Sequence, residues 1–460
     1  MPDGPRRKDV PAQTGPDGDG KAAKQPPRFA AAAAGTFGTQ LGIAVVSFGG
    51  VLLTARVLGP AARGDLAFLI TMSMLTATVG LLGLDEANVN FAGRHPEERR
   101  ALATNSLVLS LVLGCACIAV VCVLIALVPA AGGHADRWLR WLALASVPML
   151  ILKLYLKFLL QADFQFRMAN LAWIFPPVAN LAVNGSMAAL GLLTVATAFV
   201  SWTVTHAIAT VALGAFVARR SAGFGRPSPE LARRTLRFGL RAHPGRLMMA
   251  GNYRLDQWLV GAIAGSRELG LYSIAVSVSE ILFYLPTALT IAQRPYLVRA
   301  GQDEAGRRAA RVFRAGTVLT AACAVGLVAV APVLLPAVFG EDFSGSVDDL
   351  QILAAGAFGI LALKLLGNAL TAQRRPGLAT IGAAAAFAVT VGLDALLIPA
   401  HGGSGAAIAS SVAYAVGGAT IAILFLRFFR VPVRSLTPRP AELPLAARGL
   451  LRPRNVRREA

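Results

Sequence analysis

A chain of 460 residues that is 55% hydrophobic and only 15% charged carries a formal net charge of +20. Water-soluble domains hold about 25% charged residues, so this deficit excludes an ordinary soluble enzyme; apolar surface of this extent has to face lipid. The positive charge does not point to nucleic acid, because the basic residues fall between apolar runs rather than on one polar domain.

Residues 1–28 are rich in Pro, Gly and charge and are expected to form a disordered cytoplasmic tail. Two motif spellings occur in it. Gly15 to Ala22 resembles a phosphate-binding loop, but Ala22 stands where Ser or Thr must reach the magnesium ion, and no strand precedes it. Asp17-Gly18-Asp19 spells the acidic motif of sugar-nucleotide enzymes with no fold around it. The apolar run that begins at Phe29 exceeds a signal-peptide core of about 7–15 residues and reads as a retained first helix.

From there to Phe429, runs near the helix-spanning length of about 20 residues recur. They cover 30–57, 66–91, 103–129, 138–160, 169–191 and 194–217, then 238–263, 269–293, 313–338, 348–371, 377–399 and 405–429. The separators carry Gly, Pro and charge, as at Leu58-Gly59-Pro60, Arg94-His95-Pro96, Arg374-Arg375-Pro376 and His401-Gly402-Gly403.

Charge alternation tests the count. With the amino terminus inside, the basic segments all fall on the inner side: the leading tail, Arg94–Arg100, Arg167, Arg219–Arg237, Arg294–Arg314, Arg374–Arg375 and the stretch after Arg427. The outer side holds only Arg56, Arg63, Arg137, Arg140 and Arg267. The expected architecture is an all-α integral membrane protein of about twelve transmembrane helices, with both termini cytoplasmic. Two six-helix lobes, 29–218 and 238–430, would flank a basic cytoplasmic linker, 219–237, and a basic cytoplasmic tail, 431–460, would follow. That tail is suited to anionic membrane lipid.

Internal similarity supports the division. Val57-Leu58-Gly59-Pro60-Ala61-Ala62-Arg63-Gly64 is echoed by Ile263-Ala264-Gly265-Ser266-Arg267-Glu268-Leu269-Gly270, and Leu160-Gln161-Ala162 by Leu370-Thr371-Ala372 at a nearly equal offset. Arg56, Gly59, Gly64, Gly265 and Gly270 mark this hairpin motif. A parallel duplication places a transporter's site between the halves. Cys115, Cys117, Cys122 and Cys323 lie within apolar runs, without zinc or disulfide spacing, and read as small apolar side chains. No metal or cofactor is implied.

Ionisable groups within spans mark a lumen or pathway. Arg246, Tyr253, Arg254 and Gln257 share one face of the seventh span at about 100° per residue. Lys153, Lys157 and Gln161 line one face of the fourth, Lys364, Asn368 and Thr371 one of the tenth, and Trp173, Pro177, Asn180 and Asn184 recur on the fifth. Arg246, Arg254, Lys153, Lys157 and Lys364 are candidates for a cationic cavity suited to a phosphate-bearing substrate. Glu280 and Asp256 are candidates for coupling a proton or sodium ion. Asp85, Glu86 and Asp394 lie toward span ends and read as structural, and His206 as a hydrogen-bonded interior residue.

At this point the motifs resemble a known family. Ala55-Arg56-Val57-Leu58-Gly59-Pro60 closing at Gly64 is similar to the first hairpin of bacterial polysaccharide flippases. Tyr253-Arg254-Leu255-Asp256-Gln257 followed by Glu268 to Ala275 resembles their seventh and eighth helices, and Phe339 to Phe343 and Leu397-Ile398-Pro399 through Ala407 their last four. The family is that of the Wzx-type O-antigen and polysaccharide flippases, in the multidrug/oligosaccharidyl-lipid/polysaccharide (MOP) superfamily. The resemblance implies a transporter, not an enzyme, of the inner (plasma) membrane. It would carry a polyprenyl-pyrophosphate-linked oligosaccharide from the inner to the outer leaflet by alternating access for surface polysaccharide synthesis, with membrane lipids and polysaccharide assembly proteins as partners, as a monomer. The arginine set of lipid II flippases is not reproduced in the first helix, which disfavours that substrate. The rivals are a drug or metabolite exporter of the same superfamily, whose cavity should be acidic and aromatic, and a membrane glycosyltransferase or polymerase, which needs large outer loops bearing carboxylates. A scaffold that recruits partners through the basic tail is a third.

Overall fold

Apolar runs without water to bond their backbones must satisfy them internally, and every described element is helical. The computed structural model describes residues 27–220 and 223–438, with side chains from Gly42 onward other than that of Ala242. The helices are α1 (Pro27–Gly80), α2 (Leu84–Arg94), α3 (Arg99–Leu127), α4 (Arg137–Ala145), α5 (Val147–Ala162), α6 (Phe166–Ala189) and α7 (Val195–Arg220). After a basic interval follow α8 (Pro229–Ile263), α9 (Ser266–Ser279), α10 (Ile281–Arg299), α11 (Gln302–Phe339), α12 (Ser346–Ala372) and α13 (Pro376–Phe429). Among the described residues, eight helical stretches are long and apolar enough to cross a membrane. Leu111, Val112, Val120, Val123 and Leu127 of α3 stand exposed, as a lipid-facing side requires.

Several expected spans are divided. α1 and α13 each run 54 residues and each contains one non-helical glycine, Gly59 and Gly402, where the chain turns back. The second expected span breaks after Gly80, with Gly83 in the left-handed region before α2. The fourth breaks at Ser146, ahead of Pro148, whose missing N–H cannot continue the α4 ladder. The eighth breaks at Glu280. The nucleotide-motif spellings and most of both expected tails lie outside the described residues. The start of the carboxyl-terminal tail is described, and there the Arg314 guanidinium donates to the Ser435 carbonyl at 2.7 Å.

Both sequence echoes become the same turn twice. Gly59 (φ 74°, ψ 175°) and Gly265 (φ 95°, ψ 176°) take one conformation that only glycine adopts readily. Phe164 and Arg374, also equivalent, both take positive φ, 57° and 62°. The amides that follow them bond back identically, Gln165 to the Leu160 carbonyl and Arg375 to the Leu370 carbonyl. The two glycine hairpins then pack together. An apolar core joins Leu66, Phe68, Leu69 and Met72 of α1 to Leu269, Tyr272 and Ile274 of α9 around them. Arg56 clamps this end by donating from Nε to the Val338 carbonyl at 2.6 Å and from Nη2 to that of Ala337, at the last turn of α11.

Candidate functional site

A cavity of about 340 Å³ opens between α1, α5, α6 and α7, within the size range of ligand pockets. Both segments of α1 contribute to it, because the Gly59 turn folds them side by side. Pro176 and Pro177 of α6 line it, and their missing N–H groups leave the Ala172 and Trp173 carbonyls without helical donors. Among the described residues two cations line it, Arg63 and Lys153, and no carboxylate does. Arg63 is 7% exposed, and its Nε has no hydrogen-bond partner among the described residues. Lys153 is 4% exposed and has its ammonium 4.8 Å from the centre of the Trp173 ring. Lys157, one turn on, stands 3.7 Å over the same ring. Cations held on an aromatic face, and in no ion pair among the described residues, leave their charge open to an incoming anion.

Arg63 is the residue that sequence reasoning missed. The apolar runs leave it in the separator between the first two spans, whereas Pro60 opens a helix directly after Gly59 and sets Arg63 inside its first turn. A proline at a helix start was the available signal.

The other predicted cations are partnered. Arg246 on α8 bridges to Asp85 at 2.5 Å and Glu86 at 3.3 Å, both on α2, tying the two halves of the chain together. Arg254 pairs with Glu280 at 2.9 Å. Lys364 donates to Thr287 Oγ1 at 2.8 Å and lies 5.8 Å over the Phe283 ring. None of these three lines the cavity.

Of the two candidate coupling acids, Glu280 is taken by Arg254 and Asp256 is not in an ion pair among the described residues. Asp256 is buried, accepting from the Tyr272 hydroxyl, from Ser410 Oγ at 3.1 Å and from the Gln257 amide at 2.7 Å. One turn before it on α8, Asn252 accepts from Thr390 of α13 at 2.8 Å. One turn after Thr390 comes Asp394, so α8 and α13 bring the two carboxylates to the same level. Asp394 is 0% exposed, and neither of its oxygens has a hydrogen-bond partner among the described residues. A buried carboxylate that lacks donors is unstable as an anion unless a proton or metal ion joins it.

A family model described as a polysaccharide biosynthesis protein matches residues 53–348. The chain belongs to this family. The polysaccharide biosynthesis match covers the cavity lining from Thr54 onward, the glycine hairpins and the Arg254–Glu280 pair. Comparison with curated proteins finds no match. Among solved structures, the fold is similar to the lipid II flippase MurJ in an inward closed conformation, with a TM-score of 0.71 at 11% identity over 90% of each chain. An inward-facing multidrug resistance MATE family transporter of the MOP superfamily gives a TM-score of 0.63 at 15% identity, over 85% of this chain and 96% of that one. A Vibrio cholerae MATE transporter gives 0.55 at 14% identity, over 89% and 99%. At these identities the likeness shows the fold, and this polysaccharide biosynthesis protein has the all-α membrane-transporter fold.

Proposed function

We propose that this protein is a flippase of the inner membrane that moves a polyprenyl-diphosphate-linked saccharide between leaflets by alternating access. Twelve crossings in two six-helix lobes, 29–218 and 238–430, with both termini cytoplasmic, are part of this reading. The observation that carries it is the cavity that holds Arg63 and Lys153 and no carboxylate. A diphosphate crossing a bilayer must have its charge met by fixed cations, and Arg63 and Lys153 supply them. The exporter reading needs acids facing the cavity to hold cationic drugs, and the enzyme reading needs carboxylates placed for catalysis; the cavity lining offers neither. The carboxylates lie elsewhere, at Asp256 and Asp394, where a proton or sodium ion would couple transport to a gradient.

The test is reconstitution into vesicles with a fluorescent polyprenyl-diphosphate glycan, following its arrival in the opposite leaflet. Wild type should transfer it and the Arg63→Ala/Lys153→Ala variant should not. Equal transfer by that double variant would overturn the cation assignment. Failure of folded wild type to move any lipid-linked glycan would favour the exporter.

A further inference from the structure

One corner of the bundle is built twice, and the two copies differ by a carboxylate. In the first half the start of α3, the turn after α5 and the end of α7 meet where Asp163 accepts from Arg99 and from Arg220, each at 2.7 Å. In the second half the start of α11, the turn after α12 and the end of α13 come together in the same way. The echo of Leu160-Gln161-Ala162 by Leu370-Thr371-Ala372 puts Gln373 in the place of Asp163, and the same offset matches Arg220 with Arg430. Gln373 turns away from this corner, donating from Nε2 to the Leu297 and Ala300 carbonyls at 2.7 and 3.1 Å. The second corner has thus kept its cations and lost the acid that neutralises the first.

An open cleft of about 780 Å³ results, lined by Arg307, Arg375, Arg427 and Arg430. Its walls are fixed. Gln302 donates from Nε2 to the Phe428 carbonyl at 2.6 Å, and a β-carbon built on Gly306 would stand 2.8 Å from that of Phe429. The Arg375 guanidinium lies 5.8 Å from the centre of the Phe428 ring. None of the four arginines is in an ion pair or a side-chain hydrogen bond among the described residues. Asp303 and Glu304 also line the cleft, in the first turn of α11, where the helix dipole favours acids, and they pair with none of the arginines. Four guanidinium groups against two carboxylates leave the cleft cationic and open to a phosphate.

An apolar track leads to it. Ile408, Val412, Val416 and Ile423 of α13 are exposed, and at about 100° per residue they share one side of the helix with Arg427. Such a stripe suits acyl chains, and a lipid lying along it brings its phosphate to the arginine at its end. A soluble phosphate would leave the stripe unused. We propose that this cleft binds the phosphate of an anionic phospholipid, with the acyl chains along α13. In the topology proposed above, the basic segments place the cleft at the inner leaflet. The site is separate from the cavity between α1, α5, α6 and α7, and lipid binding there does not depend on what that cavity carries.

The experiment is native mass spectrometry of the full chain in detergent, titrated with phosphatidylglycerol or with phosphatidylcholine of the same acyl chains. Inorganic phosphate serves as the competitor. Wild type should bind phosphatidylglycerol about tenfold or more tighter than phosphatidylcholine, and inorganic phosphate should not displace it. Arg375→Gln/Arg427→Gln should weaken that binding about tenfold or more, the loss of two cations at the membrane surface. Arg375→Lys/Arg427→Lys should keep most of it. Arg233→Gln/Arg237→Gln takes the same charge from the exposed start of α8 and should change the affinity less than about threefold. Equal weakening by the two glutamine variants would overturn the site, because net charge alone would then attract the lipid. Equal affinity of wild type for the two lipids would do the same, and displacement by inorganic phosphate would make the ligand a soluble anion. No arm measures transport, so each of these failures leaves the flippase reading standing.

Discussion

Gly64 lies so close to Ser266 that a β-carbon built on the glycine would stand 1.7 Å from the serine carbonyl oxygen, and Gly270 meets Pro60 in the same way at 1.9 Å. The two contacts are one contact made twice, because Pro60 and Ser266 are equivalent positions of the repeated hairpin, as are Gly64 and Gly270. Any side chain at either glycine must drive the hairpins apart. Gly64→Val should destabilise this closed arrangement by about 1–3 kcal/mol, shifting the closed-to-open ratio roughly fivefold to a hundredfold. Spin labels at Arg56 and Arg267, in a background lacking the four native cysteines, should report a longer distance in the variant. An unchanged distribution would show that the glycines are not the gate.

Arg246 and Asp85 close the opposite side of the same interface. Asp85 is fully buried and Arg246 is partly exposed. Removing the arginine strands a buried carboxylate, so Arg246→Gln should cost on the order of 2 kcal/mol, more than an exposed pair would. Asp85→Asn combined with Arg246→Gln should be less damaging than the sum of the two single changes. Thermal unfolding of the purified variants checks this; strict additivity would mean that the bridge contributes nothing.

Asp394→Asn should fold, because the neutral amide relieves a carboxylate that has no donors, and it should still bind substrate. Its transport should lose the component that responds to an imposed proton or sodium gradient, while exchange at equilibrium continues. Gradient-driven and exchange assays on the same vesicles separate the two. Full retention of gradient stimulation would remove Asp256 and Asp394 from the coupling role.

Lys153 and Lys364 are both lysines within spans, yet their surroundings assign them different work. Lys364 is satisfied by Thr287 and the Phe283 ring, whereas Lys153 faces the Trp173 ring and has no ion pair among the described residues. Lys153→Met should weaken binding of a diphosphate lipid about tenfold to a hundredfold, the worth of a hydrogen bond to a charged group. Lys364→Met should change it less than about threefold. Equal effects would place the anion elsewhere.

Much of the fold was legible because lipid enforces it. Apolar runs and the echoed glycine hairpins are local patterns; the runs are helical and the echoes are turns, whereas the breaks at Gly80, Ser146 and Glu280 fall inside runs that read as continuous. What escaped the sequence was pairing. Asp85 and Glu86 lie far from Arg246 along the chain, as Glu280 does from Arg254, and periodicity reports only the face of one helix. Arg63 falls in a separator because Gly59-Pro60 reads as a loop, whereas the proline begins a helix at once. Asp394 looked peripheral until α13 packed on α8 and set it beside Asp256. His206 takes the hydrogen bond expected of an interior residue, to the Trp202 carbonyl.

Every cavity-lining residue, from Ile43 to His206, belongs to the first half of the chain. A molecule held only by groups that move together has the same affinity whichever way the two halves are tilted. Such a ligand shifts no equilibrium, however tightly it is gripped. The saccharide would then be a passenger, and the work of reversing the carrier would fall to the acids of the other half.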